Sequence, residues 1–207
     1  QVRSNGDFSI VSYDGNNGPN TLVGHGLNSA PSLILAKSTT QSYDWAVYHV
    51  STGVNKNLSL NQAIEATGIP NFWGTAMTST TFGIYDTVNS TNNTEGMIAY
   101  CWANSPTQSF GSYSGAAPVT VECGFEPAFV MVKSIAEGEW RILDNARSTA
   151  NPRDRQLFPN TSGEEVQNDL YGVDFTSSGF TLLDDFMAGE TYIYAAFASS
   201  AGASGVV

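Results

Sequence analysis

Positive charge is scarce in this chain of 207 residues. Lys and Arg number 8 against 19 Asp and Glu, a net charge of −11. Such a surface repels phosphate backbones, which argues against nucleic acid as a partner. Anionic membrane surfaces are disfavoured for the same reason. Long apolar runs are missing too. Stretches such as Tyr192 to Ala198 fall far short of the roughly 20 residues that cross a bilayer, so no membrane insertion is expected. Charged residues of both signs make up only 13 % of the chain, which excludes a coiled coil built on Glu and Lys heptads. Cysteine occurs twice, at Cys101 and Cys123, in neither CxxC nor Cys/His spacing, so no zinc site is signalled. The pair reads as two small buried hydrophobes, with a single disulfide left open. There is no Gly-x-Ser-x-Gly elbow and no Gly-rich phosphate loop ending in Lys-Ser/Thr. No basic, apolar start marks a signal peptide. The first residue is Gln1 rather than Met, which reads as a processed product or part of a longer polypeptide.

What is present is turn chemistry and aromatic mass. The chain has 20 Gly, abundant Ser, Thr and Asn, 12 % aromatics and 41 % hydrophobic residues, too apolar a mixture for disorder. It also repeats itself. Thr21 to Ser38 parallels Thr120 to Ser134, with Pro31 matching Pro127 and Lys37 matching Lys133. Asp44-Trp45-Ala46-Val47-Tyr48 parallels Glu139-Trp140-Arg141-Ile142-Leu143, and Leu58 to Asn61 parallels Leu157 to Asn160. Thr81 to Ile84 matches Gly179 to Leu182, and Glu95 to Ala103 matches Glu190 to Ala198. This is the signature of a duplication of about 100 residues.

Each repeat reads as strands. Leu33-Ile34-Leu35-Ala36 and Ala128-Phe129-Val130-Met131-Val132 are short apolar runs at a proline, suited to strands buried on both faces. Trp45, Val47 and His49 share one face, and Ala46 and Tyr48 the other. Clusters such as Asp14 to Gly18 and Asn89 to Thr94 read as turns. Leu60 to Ala66 is the one stretch with a helical option. The expected architecture is all-β. Two tandem sandwich-like repeats, residues 1–104 and 105–198, pack together with a pseudo-two-fold relation, followed by a small-residue tail, 199–207.

Chemistry is sparse. His25, between Gly24 and Gly26, reads as a strand-end turn or as an exposed ring on a tight loop. Glycoside hydrolysis needs a carboxylate pair, and Asp44, Glu95, Glu139, Asp184, Asp185 and Glu190 supply candidates in no distinctive setting. No catalytic residue is assigned, and no enzyme activity is expected. Asp14 to Gly18 and Asp184-Asp185 carry oxygen ligands for calcium, but without EF-hand spacing, so no cofactor is assigned. The remaining candidates are for sugar binding. Trp73, in Asn71-Phe72-Trp73-Gly74, reads either as a stacking platform for a sugar ring or as a cap on the core. Asn89, Asn92 and Asn93 would orient hydroxyls from the Asn-rich loop.

Several of these motifs resemble a known family: Phe8 to Asn16, Val23-Gly24-His25-Gly26-Leu27 with Ala30-Pro31, Trp45 to His49, and the closing Tyr192 to Ala198. Together they look like a duplicated β domain of virion proteins of tailed bacteriophages, notably marine and cyanobacterial phages. In that family the domain often ends tail-fibre-like or other surface-exposed proteins. The likeness covers nearly the whole chain, and departs from the pattern at Glu122-Cys123-Gly124, where the first repeat has Gly24-His25-Gly26. It implies an extracellular place on the virion surface, with other virion proteins and further copies of the chain as partners, and no catalytic residues. The expected function is a receptor-binding or tail-fibre domain contacting host carbohydrate, and the alternative is a structural decoration or spacer. The two differ in whether Trp73 and the tyrosines are displayed on a rim or buried.

Overall fold

The computed structural model describes residues 1–75, 77–85, 90–168, 172–183 and 189–199. Among these residues every regular element is a strand, so the chain is all-β. The first half contributes β1 (Val2–Ser4), β2 (Phe8–Tyr13), β3 (Thr21–Gly24), β4 (Leu33–Ser38) and β5 (Ala46–His49). It continues with β6 (Lys56–Asn57), β7 (Thr67–Gly68), β8 (Thr81–Ile84) and β9 (Met97–Trp102). The second half contributes β10 (Gln108–Tyr113), β11 (Val119–Glu122), β12 (Pro127–Ser134), β13 (Arg141–Asp144) and β14 (Arg155–Gln156). It closes with β15 (Val166–Gln167), β16 (Val173–Thr176), β17 (Gly179–Leu182) and β18 (Tyr192–Ala198).

The strand order is written twice. One large antiparallel sheet runs β1-β2-β9-β4-β5 and the other β10-β18-β12-β13. Small sheets follow the same rule, β3-β8 beside β11-β17-β16, and β6-β7 beside β14-β15. No sheet mixes strands of the two halves. The sequence parallels land on equivalent strands: β4 on β12, β5 on β13, β8 on β17, and β9 on β18.

Side-chain parity explains why the central strands are apolar throughout. On β4, Ile34 and Ala36 enter the core of the first half, which also holds Trp73 and Phe82. Leu33 and Leu35 turn the other way, into a second core. On β18, Tyr192, Tyr194 and Ala196 enter the core of the second half, while Ile193, Ala195 and Phe197 enter that same shared core. At these central strands the large sheets bury both faces, so successive side chains must both be apolar. The result is four layers: β3-β8, the first large sheet, the second large sheet, and β11-β17-β16.

The shared core is the seam between the halves. Leu33, Val47 and Leu58 from one side meet Phe110, Met131 and Trp140 from the other. Trp102 and Phe197 meet edge to face at 6.4 Å. Each fully buried side chain of this size stabilises by about 1.5–3 kcal/mol. Polar ties cross the same surface. The Trp140 indole N–H donates to Ser59 O at 2.9 Å, and backbone bonds run from Ala66 N to Ile135 O and from Gly138 N to Ala63 O, each 2.8 Å. Leu60 to Ala66 forms no helix, because its backbone groups bond to neighbouring segments instead of to each other.

Two features recur with atomic likeness. Trp45 N and Trp140 N each donate to an Asn Oδ1, Asn61 at 2.9 Å and Asn160 at 3.0 Å. Each Asn in turn donates to the acid before its Trp, Asp44 or Glu139. The lysines repeat as well. Lys37 Nζ donates to Ser38 O and Gln41 O at 2.9 and 3.0 Å, and Lys133 Nζ to Ser134 O and Ala136 O at 2.6 and 2.8 Å. Lys133 is fully buried, and burial pushes its ammonium down to about 8 against the opposing pull of Glu139, Glu137 and Glu190.

The large sheets close their outer edges differently. β2 is covered by β1, with Val2 opposite Val11 and Ser4 opposite Ser9. β10, its counterpart, is the last strand of its sheet, and Asn104 Oδ1 accepts the N–H of Phe110 there at 2.8 Å.

Candidate functional site

Trp73 is not on a rim. It is fully buried in the first core, packed edge to face against Tyr48 and Phe72, both with ring centroids at 6.0 Å. Its indole N–H donates to Val47 O at 3.3 Å. The cause is local. Asn71 adopts a left-handed φ of 57° and Gly74 one of 69°, and the turn between them drives Phe72 and Trp73 inward. A Cβ at position 74 would lie 3.0 Å from the backbone of Gly83, so the turn can sit this deep only with glycine there. The stacking platform is thus corrected to a core cap.

Asn92 and Asn93 of the Asn-rich loop are also engaged within the protein. Asn92 is fully buried, accepting from Asn16 N at 2.9 Å and donating to Gly18 O at 3.1 Å. Asn93 donates to Glu95 O at 2.9 Å and lies 3.4 Å from Ser38 Oγ. Its carbonyl accepts from Gly15 N at 2.8 Å, so close that a Cβ on Gly15 would meet it at 2.4 Å. These amides tie the Asp14 to Gly18 turn to β9 and are committed to the backbone. Asn89 lies outside the described residues, as do Asp184 and Asp185.

The oxygens of the same turn make bonds within the protein. Asp14 Oδ1 accepts from Gly96 N, and Asn16 Oδ1 from Gly18 N and the Thr21 hydroxyl. Among the described residues no group of three or more His, Cys, Asp or Glu is placed to hold a metal ion. The hydrolase candidates carry structural bonds, and Glu139 and Glu190 both lie near the Lys133 ammonium. Asp44 and Glu139 hold their asparagines, and Glu190 accepts from Ser134 Oγ at 2.7 Å. Two other carboxyls, Asp144 and Glu165, are held below the usual range, by Arg147 for Asp144 and by Arg155 and Arg147 for Glu165. That is the opposite of what a general acid needs.

Both histidines are buried and uncharged in the same way. The His25 ring accepts the Leu27 N–H on Nδ1 at 3.0 Å and faces Thr78 O with Nε2 at 3.0 Å. The exposed-ring reading of His25 is overturned; it pins a turn. His49 accepts the Ser51 N–H at 3.2 Å and points Nε2 at Tyr194 O, across the seam, at 3.0 Å. A carbonyl on one nitrogen and an N–H on the other select the neutral Nε2–H tautomer. Burial pushes His25 down and His49 down to about 4, in each case against the bond to its carbonyl. Cys101 and Cys123 are both free thiols, which burial pushes up to about 12 and about 11.

The arrangement that does present open polar groups lies at the seam. A cavity of ≈ 140 Å³ opens there, lined from the first half by Ser51, Thr52, Lys56 and Ala66. The second half closes it with Ser112, Ile135, Thr191 and Ile193. Sequence reasoning passed over Lys56 and Thr191. The only available signal was that the chain has just three lysines, of which Lys37 and Lys133 match across the repeat and Lys56 does not.

Fold and site together define an all-β module whose halves share a core, with a small cleft of mixed polar and apolar lining between them. The chain belongs to the family described as Domain of unknown function (DUF7483), whose model matches residues 1–201. No curated protein and no solved structure matches it.

Proposed function

We propose that the chain is a non-enzymatic structural module on the outer surface of a bacteriophage particle, joined to other virion proteins and to copies of itself. Its two halves act as one rigid block related by a pseudo-two-fold. The virion placement comes from the resemblance of the strand motifs. The preference for a structural role over host-carbohydrate contact rests on one observation: Trp73 and Asn92, two of the four residues expected to bind sugar, are fully buried and hydrogen-bonded within the protein. Aromatic mass goes to the two outer cores and the seam, which favours a load-bearing block.

Gold-tagged antibody against this domain, imaged on purified particles, tests the reading. Label over the head or along a shaft is expected. Label confined to fibre tips would return receptor binding to first place. Particles that carry no label would remove the virion placement altogether.

A further inference from the structure

We propose that the seam cavity is a binding subsite for a carboxylated sugar ring, a hexuronate, with Lys56 as the partner of its carboxylate. The proposal stands on the cavity and does not depend on the virion placement. The first support is electrostatic. Among the described residues all three ion pairs are made by arginines, Arg147 with Asp144 and Glu165, and Arg155 with Glu165. Lys37 and Lys133 are each held by two carbonyls. Lys56 gives one bond, to Ala66 O at 3.0 Å. An ammonium has three donors, so a charged group with donors to spare stands at this cleft, in a protein of net charge −11.

The rest of the lining suits a sugar rather than a bare anion. Hydroxyl residues come from both sides, Ser51 and Thr52 from the turn after β5, and Ser112 and Thr191 from β10 and the approach to β18. The Thr52 hydroxyl already donates to His49 O at 3.0 Å and is left as an acceptor, while a hydroxyl with its proton uncommitted can both donate and accept, as ring hydroxyls require of their partners. Ile135, Ile193 and Ala66 supply an apolar surface for the C–H face of a ring. The volume, ≈ 140 Å³, is close to the roughly 150 Å³ of a cavity that takes one benzene, so the cleft seats the carboxylate-bearing edge of the ring and leaves the rest of the sugar in solvent. Few convergent polar groups on an apolar floor are what orient a small ligand.

The test is an amide NMR titration of the whole chain with sodium glucuronate, with glucose and acetate as separate arms. Saturable shifts are expected at Ser51, Thr52, Ala66, Ser112 and Thr191, with Kd on the order of millimolar. Glucose lacks the charge and acetate lacks the ring, so each should bind about tenfold more weakly or worse. Lys56→Gln should lose about tenfold in affinity and Lys56→Arg should recover part of it. Thr191→Val, at an exposed position, should weaken binding severalfold with the melting temperature unchanged. Acetate binding as tightly as glucuronate would overturn the sugar assignment. Absence of saturable shifts, shifts elsewhere on the molecule, or affinity untouched by Lys56→Gln would overturn the site.

Discussion

Acid should loosen the seam through His49, and the size of the effect follows from its surroundings. The ring is buried, accepts an N–H on one side and faces a carbonyl of the opposite half on the other, so the fold accommodates it only uncharged. Its pKa falls from 6.5 in the unfolded chain to about 4 in the fold. The unfolded state therefore binds the proton first as pH drops. Stability from this group is complete above pH 6.5 and is lost progressively down to pH 4. The linkage relation gives a loss of about 2 kcal/mol at pH 5 and about 3 kcal/mol at pH 4. Denaturant unfolding from pH 7.5 to 5, on the protein and on His49→Gln, isolates the effect. Glutamine offers Tyr194 O a donor that does not titrate, and the pH response of His25, which has the same sign, cancels in the difference. The difference in stability between the two proteins should shrink by about 2 kcal/mol on going to pH 5. A difference that stays constant with pH, or a His49 ring that titrates near 6.5 by NMR, would refute the reasoning.

Other outcomes follow from the same geometry. Trp73→Ala should cost about 3–5 kcal/mol of stability, read by chemical denaturation, because it empties a core site rather than a binding surface. Asn61→Ala and Asn160→Ala should each cost about 1–3 kcal/mol, since each leaves a Trp backbone N–H and an acid without their shared partner. Gly15→Ala should lower the melting temperature while Gly53→Ala, where an added Cβ meets nothing within 4 Å, should do so only through its left-handed φ. Cys123, although only half-buried, should react with a thiol reagent at pH 8 far more slowly than in the unfolded chain, because a thiol pushed up to about 11 carries little thiolate.

The all-β class was legible in the sequence, and several residues matched between the halves make like contacts. Trp45 and Trp140, with Asn61 and Asn160, form the same bonded corner, and Lys37 and Lys133 the same carbonyl clamp. The burial of β4 and β12 on both faces was legible in their unbroken apolar runs. The direction taken by Trp73 was not. A Trp in an Asn-Gly turn has the same local pattern whether the turn lies on the surface or is pulled inward, and what reveals the difference is the close approach of Gly74 to the backbone of Gly83, nine residues further on. Asn92 misled for a related reason. An asparagine that bonds to ligands and one that bonds to a neighbouring turn look alike until the turn at Asp14 to Gly18 is brought beside it. The seam cavity had no sequence signature, since its lining comes from scattered positions in both halves.

A seam inside one chain is freed from a rule that binds dimers. Where two identical subunits meet on a two-fold axis, every substitution appears on both sides at once. Here each side can differ from the other, and the two do differ. Trp140 sends its indole N–H across to Ser59 O, while Trp45 stacks on Tyr100 of its own sheet. Lys56 of β6 stands where β14 offers Arg155, which is already paired with Glu165. A seam within one chain can thus carry a singular feature, so the stoichiometry of any ligand at the cleft is one per chain and not two.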